Sequence, residues 1–180
     1  MLDWIFVDMD GVVADFTGPV SKLHNKEPYP PKNIELPAPY FMEETWGMSK
    51  EEFLAPTRNV EFWATLPPFS WTFDLMRFLE TVVDPEKIVF LTSGYGSFAR
   101  AGKQLWIKEH FPAYKSRFIF TPYKQAISRS NCLLIDDWDK HIDDWRSNQG
   151  IGMLFPQLWN RAWKYSIDPL GVLMEEIECL

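Results

Sequence analysis

Two aspartates one residue apart close the first apolar run of the chain, Trp4-Ile5-Phe6-Val7-Asp8-Met9-Asp10-Gly11. Carboxylates crowded into one volume repel by several kcal/mol at an intermediate effective dielectric, so an oxygen-loving divalent ion such as Mg²⁺ is expected between them. Asp8 is the candidate nucleophile. A carboxylate attacking a phosphoryl group divides one hard hydrolysis into two easier displacements. Asp10 is the candidate acid/base, giving a proton to the leaving alkoxide and later taking one from water. Three more polar sets follow apolar runs: Thr92-Ser93, Lys124 in Thr121-Pro122-Tyr123-Lys124, and Asp136-Asp137. Thr92 and Ser93 offer donors to phosphate oxygens, and Lys124 can serve both the phosphate and Asp8. The metal set expected is Asp8, an oxygen of Asp10 and an acid of the 136–137 pair.

Taken singly, each feature has a plainer reading. An Asp after a strand is commonly a cap, Thr-Ser-Gly a turn, a loop lysine solvated, and Asp136-Asp137 with Asp139, Asp143 and Asp144 an acidic face. Their joint placement decides for a site. Trp4–Val7, Lys87–Leu91, Arg117–Phe120, Cys132–Ile135 and Gly152–Phe155 read as buried strands, separated by helical patterns over 73–83, 98–110 (with Ser97 as its cap) and 169–178. Such alternation implies a mainly parallel sheet with helices on both faces. Parallel strands present their carboxyl ends on one edge, where open α/β sheets bind ligands. Gly11 is expected to turn the chain sharply behind Asp8 and Asp10.

Residues 16–66 differ. Prolines 28, 30, 31, 37 and 39 make Glu27–Pro39 irregular. Ser49-Lys50-Glu51-Glu52 has the form of a capping box for a helix over 50–55, and a second short helix is expected over 58–64. Asp15 is read as a loop support or cap. The division expected is therefore an α/β core of residues 1–15 and 67–180 with a small helical insertion, 16–66.

The 180 residues carry a net charge of −7, which argues against a nucleic-acid groove. With 46% hydrophobic content, nine tryptophans and fourteen phenylalanines, the chain has material for a large core and a flat-faced pocket. No apolar run reaches membrane-span length, and the immediate first strand leaves no room for a signal peptide. Cys132 and Cys179 are too few for a disulfide framework, and a reducing cytoplasm is expected. A homodimer is compatible with the sequence.

Asp8-Met9-Asp10-Gly11-Val12, Thr92, Lys124 and Asp136-Asp137 resemble, in order, the four motifs of the haloacid-dehalogenase superfamily of phosphatases. Two-component receiver domains use similar residues, but there the acid pair comes first; the order here rejects that reading. More narrowly, Asp8–Phe16, Phe62…Leu66-Pro67-Pro68, Thr92-Ser93 and Leu133–Asp137 resemble the 5′(3′)-deoxyribonucleotidases. The resemblance implies a Rossmann-like core with a helical cap after the first motif, and hydrolysis of nucleoside monophosphates. It also implies Asp137 as the direct metal ligand with Asp136 behind it, and a base pocket using Phe16 and the aromatic segment Tyr40-Phe41-Met42. Where that family often has basic residues, this chain has Gly94-Tyr95-Gly96 and Pro122-Tyr123, so fewer cations are expected near the phosphate. Two rivals stand beside this reading: the same chemistry on another small phosphate ester or a polynucleotide phosphate end, and a protein that binds nucleotide without turnover.

Overall fold

The computed structural model describes residues 2–180. Five parallel strands, β1 (Trp4–Val7), β2 (Ile88–Thr92), β3 (Phe118–Phe120), β4 (Cys132–Asp136) and β5 (Ile151–Leu154), form one sheet in the order β3-β2-β1-β4-β5. β1 takes the centre, Val7 lying in register with Phe90 on one side and Ile135 on the other. The strand order reverses at β1, and a crevice opens at the carboxyl ends of strands that flank such a reversal.

Side-chain alternation divides β1 between two cores. Ile5 and Val7 join Phe90, Leu133 and Ile135 under α5 (Thr72–Val82), α6 (Gly96–His110) and α8 (Pro169–Glu178). Phe6 joins Val89, Leu91 and Leu134 under α7 (Asp139–Ser147), through Ile142 and Trp145. Helices therefore cover both faces, three against one. Burying each such side chain contributes roughly 1.5–3 kcal/mol.

α7 explains the acidic run. His141, Ile142 and Trp145 face inward, while Asp139 and Asp143 pair outward with Arg161. The solvated-face reading holds for these acids and fails for the fully and nearly fully buried Asp136 and Asp137. The helix expected over 98–110 begins at Gly96, and Ser97 does not cap it. The backbone turns there by a Gly96 N–H donated to the Gly94 carbonyl, with Gly96 at φ +86°.

Between β1 and α5 lie four short helices and no strand: α1 (Thr17–Leu23), α2 (Met42–Trp46), α3 (Lys50–Leu54) and α4 (Val60–Ala64). The capping box of α3 forms as expected, Glu52 N–H donating to the Ser49 hydroxyl while Ser49 N–H donates to the Glu52 carboxylate. Asn59 caps α4. Asp15 accepts the Gly18 N–H at the head of α1. α2 was not foreseen, being five residues long and too short to display a period. Its own core gathers Val20, Tyr29, Met42 and Phe53, with Trp159 contributed from beyond β5.

Candidate active site

Asp8 stands one residue past β1, its N–H donated to the Ile135 carbonyl, so the sheet ladder continues into the first site residue. Behind it the N–H groups of Val12, Val13 and Ala14 all converge on the Met9 carbonyl. That coil requires Gly11 at φ +79°, where a Cβ would in addition strike the Asp137 carboxylate. Gly11 is thus demanded both by its dihedral and by its neighbour.

The other site residues arrive as the parallel topology dictates. Thr92 ends β2, Lys124 opens a short 3₁₀ turn after β3, and Asp136 ends β4. Asp8, Thr92, Lys124, Asp136 and Asp137 are all buried, and Ser93 and Asp10 are partly so. Lys124 Nζ lies 2.8 Å from Asp8 Oδ1 and 2.6 Å from Asp136 Oδ2. The fully buried ammonium thus bridges the two carboxylates.

Adjacent acids in this site lead different lives. Asp136 accepts from Lys124, from the Trp138 N–H (2.9 Å) and sits 3.0 Å from His141 Nδ1. Burial alone would raise its pKa, but Lys124 and His141 outweigh that and hold it at about 2. Asp137 Oδ2 accepts from the Trp159 indole at 2.7 Å, while buried Oδ1 has no hydrogen-bond partner among the described residues. Burial, then the charges of Asp136 and Asp8, push the Asp137 carboxyl well above the usual carboxylate range. Burial raises Asp8 too, against the pull of Lys124. One oxygen from each of Asp8, Asp136 and Asp137 lies within 4.8 Å of the others. An oxygen-only donor set with an orphaned buried carboxylate oxygen fits a hard cation. The Asp10 carboxylate is not one of these three; its Oδ2 accepts from Lys103 at 2.6 Å.

A cavity of about 530 Å³ opens over these groups. Phe16, Tyr40, Phe41 and Met42 all border it, as do Lys50 and Lys140. Tyr40 stacks on Trp138 with ring centroids 4.7 Å apart, and Phe41 meets both rings edge-on. Phe16 stacks on Trp63 at 5.3 Å and packs edge-on against Phe53 and Phe62. These rings therefore border the cavity and join the helical segment to the core at once.

Sequence reasoning missed Lys103, Trp138, His141, Gln157, Trp159 and Asn160. Lys103 corrects the expectation of few cations, for it enters from α6 rather than from the loop after β2. A signal existed: Ala99, Lys103, Trp106 and Ile107 lie on one buried helical stripe, and a lysine in such a stripe needs an internal partner. Gln157, Trp159 and Asn160 follow β5 without regular structure and display no comparable pattern.

The family model described as 5′ nucleotidase, deoxy (Pyrimidine), cytosolic type C protein matches residues 2–167. Among solved structures, a HAD family hydrolase from Deinococcus radiodurans R1, with bound phosphate and sodium, superposes at a TM-score of 0.56 with 13% identity, over 98% of this chain and 88% of that one. The L-2-haloacid dehalogenase of Xanthobacter autotrophicus superposes at 0.54 with 10% identity, again over 98% and 88%. At such identities these two structures speak for the fold alone. No curated protein matches the chain in sequence. The family match spans nearly the whole chain, which belongs to this 5′-nucleotidase family of phosphoric monoester hydrolases.

Proposed function

We propose, from that membership and from the geometry above, that the protein is a Mg²⁺-dependent 5′-(deoxy)nucleotidase. It hydrolyses nucleoside monophosphates through a phosphorylated Asp8. The observation carrying this reading is the convergence of Asp8, Lys124, Thr92 and Asp137 at one sheet edge beneath an aromatic-walled cavity.

An Asp8 oxygen attacks phosphorus, the ester P–O bond breaks, and Asp10 gives its proton to the departing alkoxide. Water then attacks the aspartyl phosphate, passing a proton to Asp10, and the bond from phosphorus to Asp8 breaks to release inorganic phosphate. Thr92, Ser93 and Lys124 bind phosphate oxygens, favouring the charge distribution of the transition state. Asp8, Asp137 and an oxygen of Asp10 would hold Mg²⁺, with Asp136 behind them. When bound, the ion neutralises charge between carboxylates and phosphate. Asp136 fixes Lys124. Phe16, Tyr40, Phe41 and Met42 receive the base, with stacking contributing roughly 1–3 kcal/mol. In this scheme residues 16–66 serve as the cap over a core of 1–15 and 67–180.

The net charge of −7 disfavours long nucleic acid. A purely binding role gives no reason to keep a cavity-lining carboxylate, Asp8, paired with a fully buried lysine. No helix among the described residues is long and apolar enough to cross a membrane, and both cysteines are free, in keeping with a cytoplasmic enzyme. The test is phosphate release from nucleoside monophosphates and sugar phosphates, with Mg²⁺ or with EDTA. Nucleotides should lead and EDTA should stop the reaction. Faster turnover of sugar phosphates would move the substrate class, and indifference to EDTA would remove the metal.

A further inference from the structure

Lys103 is fully buried in the middle of α6. Its ammonium donates to Asp10 Oδ2 at 2.6 Å, Thr92 Oγ1 at 2.8 Å and the Ser93 carbonyl at 3.0 Å. An ammonium has three donors, and all three are spent on the protein. Lys124 makes one side-chain hydrogen bond, to Asp136, beside its ion pair with Asp8; Lys103 keeps no free donor. A cation so committed cannot bind phosphate without breaking a bond it already makes.

Its effect must therefore pass through what it holds. Asp10 Oδ2 is tied back to α6, which leaves Oδ1, buried and without a hydrogen-bond partner among the described residues, as the oxygen able to exchange a proton. A carboxylate fixed through one oxygen keeps the other in a single orientation, and small misplacement of a catalytic group is costly. The lysine is itself fixed from behind. Its Nζ lies 5.3 Å from the centre of the Trp63 ring, a cation–π distance. Beside it, Gly102 packs so closely on α4 that an added Cβ would come within 2.5 Å of the Val60 carbonyl oxygen.

We propose that Lys103 is the positioning residue of the acid/base: it aims Asp10 at the leaving group and takes its own position from the contact of α6 with α4. The inference rests on the reading of Asp10 as acid/base, and goes beyond it by naming what orients that group and from where.

A pair of esters tests it without assuming a nucleotide substrate. Phenyl phosphate needs a proton on its leaving oxygen, whereas p-nitrophenyl phosphate leaves readily without one. General acid–base catalysis is worth about 10²–10⁴-fold. For K103M we expect kcat/KM to fall about 100-fold on phenyl phosphate and less than about 10-fold on p-nitrophenyl phosphate. The ratio of the two rates does not depend on the folded fraction, and K103Q gives the same comparison with a shorter side chain. Adding K103M to D10N should cost little more than D10N alone, because the lysine acts through that carboxylate. Equal losses on both esters with a raised KM would assign Lys103 to the phosphate loop and overturn the proposal. Multiplying losses in the double variant would overturn it too. A wild-type protein inactive on both esters would defeat the phosphatase reading itself, and this inference with it.

Discussion

The sheet edge and the helical segment over it hold their functional side chains by opposite means. At the edge, Lys124 grips two carboxylates and Lys103 a third, so position is set by charge and hydrogen bonds. In the helical segment, Phe16, Tyr40 and Phe41 are held ring against ring, with no ionic partner. A buried charge tolerates few geometries, whereas stacked rings accept several. In the proposed scheme, reaction chemistry sits on the rigid half and substrate choice on the adaptable half. A single pair of neighbours, Asp136 and Asp137, repeats the contrast within the edge: one saturated with donors, the other left hungry.

The largest blow to the comparison should come from Asp8→Asn. Turnover is expected to fall on the order of 10⁴-fold or more, with the fold kept, as read by phosphate release and near-ultraviolet circular dichroism. Residual activity near wild type would mean that the rigid half does not carry the chemistry.

The acid pair should respond with opposite signs. Asp136→Asn leaves Lys124 with one carboxylate partner fewer in a buried place, costing about 3–5 kcal/mol of stability. Asp137→Asn removes an unsatisfied buried charge, and cation-free protein should gain about 1–3 kcal/mol. Denaturant melts in EDTA read both. The pH dependence follows from the same shifts. In cation-free protein, Asp137 and Asp8 take up protons in the folded state while the unfolded chain is still ionised. Stability therefore rises as pH falls toward the ordinary carboxylate range. Below about pH 4 the contribution of Asp136 is lost as the pH descends through its folded value of about 2. Asp137→Asn should flatten the first limb and leave the second.

Mg²⁺ should act in the reverse sense. At a hundredfold excess over its Kd, a ligand adds about 2.7 kcal/mol, or roughly 5–10 °C in Tm for a chain of this length. The gain should be greater at pH 8 than at pH 5, where protons compete for the same oxygens. An equal gain at both would place the ion elsewhere.

The mildest change probes the adaptable half. Phe41→Ala should lower kcat/KM on nucleotides by about 1–3 kcal/mol, roughly 5- to 150-fold, and leave p-nitrophenyl phosphate nearly untouched. Equal losses on both would make Phe41 a joint between segment and core only.

Legibility in the sequence follows the same division. Strands buried on both faces announce themselves as apolar runs, and parallel pairing then carries Asp8, Thr92, Lys124 and Asp136-Asp137 to one edge without further information. The capping box at Ser49 is local and was equally plain. Lys103 was readable only by noticing a charge in an apolar helical stripe. Trp138 and Trp159 were not readable, because an aromatic residue in an irregular stretch signals nothing until its partner, Tyr40 or Asp137, is known. Contacts between residues far apart in the chain leave no periodicity behind.

One such long-range set has a consequence for how the protein is made. The Gln157 amide donates to the Gly11 carbonyl, the Trp159 indole to Asp137, and the Asn160 amide to the carbonyls of Asp137 and Phe155. From a segment that follows the last strand, one strut reaches the first turn of the chain and the others reach Asp137 and Phe155. A growing chain released after residue 155 would own every strand and every reactive group, yet lack the brace that steadies them. The brace on Gly11 and Asp137 is therefore completed only after the last strand has been made.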